Sequence, residues 1–136
     1  MHTDITVGTR LPAYAISMGR VLLAALTEEE CAPLLAGVTP EAFTSRTVVA
    51  PEALAETARR GYGWVEQELE EGLRSLAAPV TDGRGRVVAA VNVALHAGRC
   101  PAEQSLAVLL PHVMEAATRI SAELAAVGRW SPVPLA

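Results

Sequence analysis

Lysine is absent from the 136 residues, and arginine supplies all 11 basic side chains against 15 acidic ones, for a net charge of −4. The arginines are scattered, with only Arg59 and Arg60 adjacent and Arg84 and Arg86 close together. A duplex-binding surface needs a concentrated basic face to displace phosphate counterions, so this chain is not expected to bind nucleic acid by itself. Cysteine is limited to Cys31 and Cys100, far apart and without CxxC or Cys/His spacing. They read as reduced thiols of a cytoplasmic protein, and His2, His96 and His112 show no metal-ligand spacing either. The apolar runs, such as Ser105 to Pro111, fall far short of the ~20 residues that span a bilayer. No basic stretch followed by an apolar one marks a secretory signal. Nucleophile and phosphate motifs are missing too. Ser17 in Ala-Ile-Ser-Met-Gly lacks the first glycine of a nucleophile elbow, and the glycines are spread singly. Neither an enzyme, a metal centre nor a membrane partner is expected.

What is present is apolar material for one core: 51% of residues are hydrophobic, chiefly Ala, Val and Leu, which is globular composition. Ile5 and Val7 suggest a short strand within Met1 to Arg10. Pro12 then opens a helix over Ala13 to Leu26, with Ile16, Arg20 and Leu23 at helical spacing. Thr27 with Glu30 forms a capping-box pair for a second helix ending at Gly37. Thr44 to Val49 reads as extended, and Pro51 to Arg60 as a third helix stopped by Gly61. Tyr62 to Val65 is a short strand and Glu66 to Gly72 an acidic turn. Leu73 to Thr81 and Arg86 to His96 form a hairpin around Asp82-Gly83-Arg84-Gly85. A closing helix runs from Ala102 to about Ala126, with Leu106, Leu110, Val113, Ala117, Ile120 and Leu124 as its buried stripe and Pro111 as a kink. The tail from residue 128 to 136 reads as loosely held. The fold class is α+β on a mainly antiparallel sheet.

The hairpin has two unlike faces. Val87, Val91, Val93 and Leu95 are bulky and apolar, matched by Leu76, Ala78 and Val80 on the other strand. Val88, Ala90, Asn92, Ala94 and His96 alternate with them, matched by Leu73, Ser75 and Ala77. The second face is either an ordinary half-exposed surface or the floor of a pocket, where small side chains leave room and Ser75 and Asn92 offer hydrogen bonds. Glu66, Glu68, Glu70 and Glu71 form the densest ionisable cluster. Paired carboxylates are the pattern of acid–base catalysis or of a cation site, but a solvated turn with Arg74 as internal counter-charge is the favoured reading.

Leu11 to Ala24 (LPAYAISMGRVLLA), Arg60 to Tyr62, Glu70 to Pro79 (EEGLRSLAAP) and His96 to Arg99 (HAGR), taken in this order and spacing, resemble the C-terminal effector-binding domain of IclR-type bacterial transcription regulators. The resemblance covers Val7 to about Ala126 and is closest to the branch controlling protocatechuate, 4-hydroxybenzoate and β-ketoadipate pathways. It implies a GAF-related effector domain over residues 1–127 that is N-terminally incomplete. It also implies homodimers or tetramers, and contact with DNA only through a winged helix-turn-helix that this chain lacks. By position, the family's pocket contacts fall on Ser17, Met18, Val65, Leu73, Ser75, Asn92 and Ala94. Two departures, Val65 where much of the family is acidic and Ser75 where it has Cys, put any transfer of glyoxylate-type specificity in doubt.

The resemblance implies a sensor for a small aromatic acid or dicarboxylate, with no cofactor, and the ligand is expected beside Ser17, Ser75 and Asn92. Its charge would be met by the start of the first helix or by Arg74, the latter read first as a partner of the acidic turn. The competing reading is a structural oligomerisation domain without a ligand.

Overall fold

Period-two alternation over residues 73–96 builds a hairpin that organises everything else. The computed structural model describes residues 5–48, 51–98 and 100–128. Strands β1 (Gly63–Glu66), β2 (Leu73–Thr81) and β3 (Val87–His96) form an antiparallel sheet in the order β1-β2-β3. The β2–β3 turn is closed by Asp82, whose carboxylate accepts from the Arg84 and Arg86 N–H groups at 2.8 and 3.0 Å. The Arg86 N–H foremost, helped by the Arg84 N–H and the Arg86 guanidinium, holds the Asp82 carboxyl below the usual carboxylate range.

The described residues form four α-helices, α1 (Ser17–Ala24), α2 (Glu28–Ala36), α3 (Glu52–Arg60) and α4 (Ala102–Val127), of which α1 and α4 pack on the sheet and α3 on α1. The α+β expectation holds. The capping box is present in full, with the Glu30 N–H donating to Thr27 Oγ1 at 3.2 Å and the Thr27 N–H to Glu30 Oε1 at 3.2 Å. Gly61 ends α3 in the left-handed region at φ 80°, which costs glycine little.

Register assigns each residue of the hairpin to a face. Leu76 pairs with Val93, Ala78 with Val91 and Val80 with Ala89. These side chains pack with Val113 and Ala117 of α4 into the main core, flanked by Trp64, Leu106, Leu109, Leu110, Met114 and Leu124. Ile120 is 41% exposed and takes no part in the stripe, while α4 continues through Pro111. Leu76 is fully buried at the centre. Leu76→Ala is expected to cost about 2–5 kcal/mol, measured as a lower urea midpoint at unchanged slope.

Three sequence expectations are corrected. The helix over Ala13 to Leu26 is broken: a 3-10 turn at Ala13–Ala15 is followed by Ile16 in extended conformation, and α1 starts at Ser17. The turn packs onto the helix at Gly19, where an added Cβ would lie 2.5 Å from Ala13 Cα. Continuous helical periodicity cannot reveal that fold-back. Ile5 and Val7 form no strand. The Thr9 N–H donates to Thr6 O and the Thr6 N–H to Thr9 Oγ1, a local turn that leaves Val7 exposed. Thr44 to Val48 is likewise a turn, because the Thr47 hydroxyl accepts from the Phe43 and Thr44 N–H groups at 3.0 Å and competes with extended structure. Val49 and the tail beyond Gly128 lie outside the described residues.

A smaller correction concerns the hairpin start. A register shift between Val80 and Thr81 brings Val87 opposite Thr81. The bulge turns Val88 into the core and Val87 to the opposite face, the reverse of simple alternation.

Candidate functional site

The second face of the sheet is covered by α1, which packs against all three strands. Gly63 makes this possible, since a Cβ there would lie 2.5 Å from Ser17 O and 3.1 Å from Val21 Cγ2. The N-terminus of α1 therefore sits directly on the β1 backbone. Beyond that contact the sheet is left open, with Asn92, Ala94 and His96 exposed on alternate positions of β3.

Between α1 and this open stretch lies a cavity of about 410 Å3. Of the seven residues singled out from sequence, six line it: Ser17, Met18, Leu73, Ser75, Asn92 and Ala94. Val65 is the exception. It is buried and in register with Ser75, on the same side of the sheet but outside the cavity lining. The floor is a ladder of pairs, His96 opposite Leu73, Ala94 opposite Ser75 and Asn92 opposite Ala77. Small residues at its centre leave the volume open. The walls that sequence reasoning did not assign are the Leu69–Gly72 loop, Ile5, Leu11, Ile16 and His96. His96 had a signal, its place on the alternating face. The loop residues had none, because their position depends on distant contacts.

Ser17 is the most distinctive atom of the site. It is 1% exposed, and its Oγ has no hydrogen-bond partner among the described residues. An unpartnered buried hydroxyl costs about 1–3 kcal/mol. It stands at the first residue of α1, where unpaired N–H groups and the helix dipole favour negative charge.

The charged residues divide sharply. Arg74 points to the α4 side of the sheet: its Nε donates to Glu66 Oε2 at 2.7 Å and its Nη1 to the Cys100 carbonyl at 2.6 Å and Ser105 Oγ at 3.3 Å. It is the counter-ion of the acidic turn and does not reach the cavity. The expectation of a solvated acidic turn is corrected at one residue. Glu68 is 6% exposed and its carboxylate is held by Arg20 and the Val48 N–H, so it has no freedom to act as acid or base. No group of three or more His, Cys, Asp or Glu among the described residues is placed to hold a metal ion. Nor is any described helix long and apolar enough to cross a membrane.

Sheet and flanking helices are arranged as in domains of bacterial transcription regulators. A transcriptional regulator from Rhodococcus sp. RHA1 superposes with TM-score 0.87 at 43% identity, over 95% of this chain and 54% of that one. The inducer-binding domain of PobR from Acinetobacter, a double mutant in complex with 3-hydroxybenzoic acid, superposes with TM-score 0.78 at 27% identity, over 85% and 69%. The chain belongs to the IclR family: the profile of the bacterial transcriptional regulator IclR C-terminal domain matches residues 1–122. The Pca regulon regulatory protein of Pseudomonas putida is 42% identical over 128 residues, 91% of this chain and 44% of that protein. The chain spans less than half the length of the relatives matched by sequence. The family consists of transcriptional regulators rather than enzymes, in line with the missing catalytic motifs.

Proposed function

We propose that the cavity is the effector site of a cytoplasmic regulator, and that it takes a small aromatic acid or dicarboxylate. The carrying observation is the buried, unpartnered Ser17 Oγ at the start of α1, on the wall of a cavity whose floor offers Ser75 and Asn92. A ligand carboxylate there would satisfy the hydroxyl and meet the positive end of the helix. The volume lies within the range of small-molecule sites. The likeness to the Pca regulon protein and to an inducer-binding domain holding a hydroxybenzoic acid supports this class. Occupancy would bias how paired subunits associate, and so the spacing of DNA-reading domains outside this chain.

Calorimetry with protocatechuate, 4-hydroxybenzoate, 3-hydroxybenzoate and β-ketoadipate tests the reading. We expect saturable binding of at least one. Ser75→Leu and Asn92→Leu should each weaken it about tenfold or more, equivalent to about 1.4 kcal/mol. No heat with any of the four would count against the reading.

A purely structural role rests on a different observation. β3 pairs with β2 along one edge only, leaving its other edge unpaired among the described residues, a natural template for a second copy. That reading expects assembly without ligand and an assembly state indifferent to the same two substitutions.

A further inference from the structure

A buried polar network lies just behind the cavity. Arg20, one turn along α1 from Ser17, is 4% exposed. Its Nη1 donates to Glu68 Oε2 at 2.8 Å and its Nη2 to Glu68 Oε1 at 2.5 Å. Its Nε donates to the Tyr14 carbonyl at 2.8 Å and its Nη2 also to the Val48 carbonyl at 3.3 Å. Glu68 Oε1 accepts the Val48 N–H at 2.9 Å. Two threonines of the neighbouring turn reach the same place: Thr44 Oγ1 donates to Gln67 O at 2.6 Å and Thr47 Oγ1 to Glu68 O at 2.5 Å.

Everything that hangs from this network on one side is cavity wall. Gln67 adopts φ 55°, a left-handed conformation unusual for a residue with a side chain, and its N–H donates to Leu73 O at 2.8 Å. Its Oε1 accepts the Gly72 N–H at 2.9 Å. Leu69, Glu70, Glu71 and Gly72 are thereby suspended between a fixed Gln67-Glu68 and the start of β2, and all four line the cavity. On the other side the network holds the first turns of α1, which carry Ser17 and Met18. Neither Arg20 nor Glu68 lines the cavity.

We infer that Arg20 and Glu68 are the positioning residues of the effector site, a clamp that sets the α1 wall against the Leu69–Gly72 wall and ties both to the Thr44–Val48 turn. A guanidinium–carboxylate fork fixes angle as well as distance, which apolar packing of equal volume does not. The part concerning ligand affinity rests on the function proposed above; the part concerning the loop does not.

Stability and positioning are separated by the paired substitution Arg20→Met with Glu68→Leu. Replacing both members of a buried ion pair by apolar residues is commonly neutral or stabilising, whereas removing one is not. The double variant should melt within a few degrees of the unaltered chain, yet bind the tightest of the four acids above at least tenfold more weakly. Equal affinity at equal stability would overturn the clamp. If the double variant does not fold, Arg20→Lys keeps the charge but loses the fork. A several-fold loss of affinity at nearly unchanged melting temperature is then expected, and unchanged affinity overturns the inference. Amide exchange of the ligand-free chain gives a third readout. In the double variant, or in Arg20→Lys if that is the one that folds, the Gly72 and Leu73 amides should exchange about tenfold faster while those of Leu76 and Ala78 keep their protection. A uniform change across both pairs would mean a merely structural pair. If the unaltered chain binds none of the acids, the proposed function fails and the exchange result alone decides the clamp.

Discussion

Gly63→Ala is expected to lower the stability of the domain by about 3 kcal/mol, a fall of roughly 10 °C in melting temperature, and to deform the cavity with it. The added carbon would meet Ser17 O at 2.5 Å and Ser17 C at 3.2 Å, both backbone atoms of the first turn of α1. Only Val21 Cγ2, at 3.1 Å, belongs to a side chain that can move. Relief therefore requires lifting α1 from the sheet or peeling β1 from β2. β1 is only four residues long and pairs through Gly63 with Ala77. Lifting α1 shifts Ser17 and Met18 relative to Ser75 and Asn92, so affinity should fall along with stability. Gly37→Ala is the control. That glycine has φ −85° and no atom within 4 Å of the added carbon, and its replacement should leave stability within about 0.5 kcal/mol. Thermal melts and calorimetry on the two variants check the contrast.

Arg20→Ala is expected to be comparably severe, at about 3–5 kcal/mol. Glu68 is 6% exposed in the native domain, and the substitution leaves its carboxylate with the Val48 N–H as its remaining donor among the described residues. The cost is that of an uncompensated buried charge rather than of one lost contact. The Tyr14 and Val48 carbonyls would lose their guanidinium donors as well. An exposed pair of the same chemistry sets the scale: Arg59 and Glu56 form an i,i+3 ion pair at 72% and 47% side-chain exposure. Arg59→Ala should leave the urea midpoint nearly unchanged, because exposed ion pairs contribute little. Urea unfolding of both variants tests the difference, and similar losses would mean that burial of Arg20 and Glu68 carries no special weight.

Much of the fold was legible because its signals are local. The Thr27–Glu30 box, the glycine after Arg60, the Asp82–Gly85 turn and the alternation along β2 and β3 each act within a few residues, and each appears in the structure. The alternation also placed Ser75, Asn92 and Ala94 on one face, and six of the seven residues read as the site share one cavity. Where pattern misled, a local side-chain turn, a fold-back of the chain or a single inserted residue was responsible. Ile16 interrupts an otherwise helical pattern because the 3-10 turn folds back on Gly19. Val87 and Val88 exchange faces because a bulge is invisible in a row of valines.

The amino-acid order alone thus determined the three strands, α2, α3, α4, the unlike faces of the hairpin and the family, since these depend on period, capping and motif spacing. Only the tertiary structure decided that Glu68, one of four similar glutamates, is buried while Glu71 faces solvent, and that its partner is Arg20 far back in the chain. The same contact hangs the Leu69–Gly72 wall over the cavity beside Ser17. Burial of an ion pair is a property of two surfaces meeting, and neither segment carries in its own residues the information that the other will arrive.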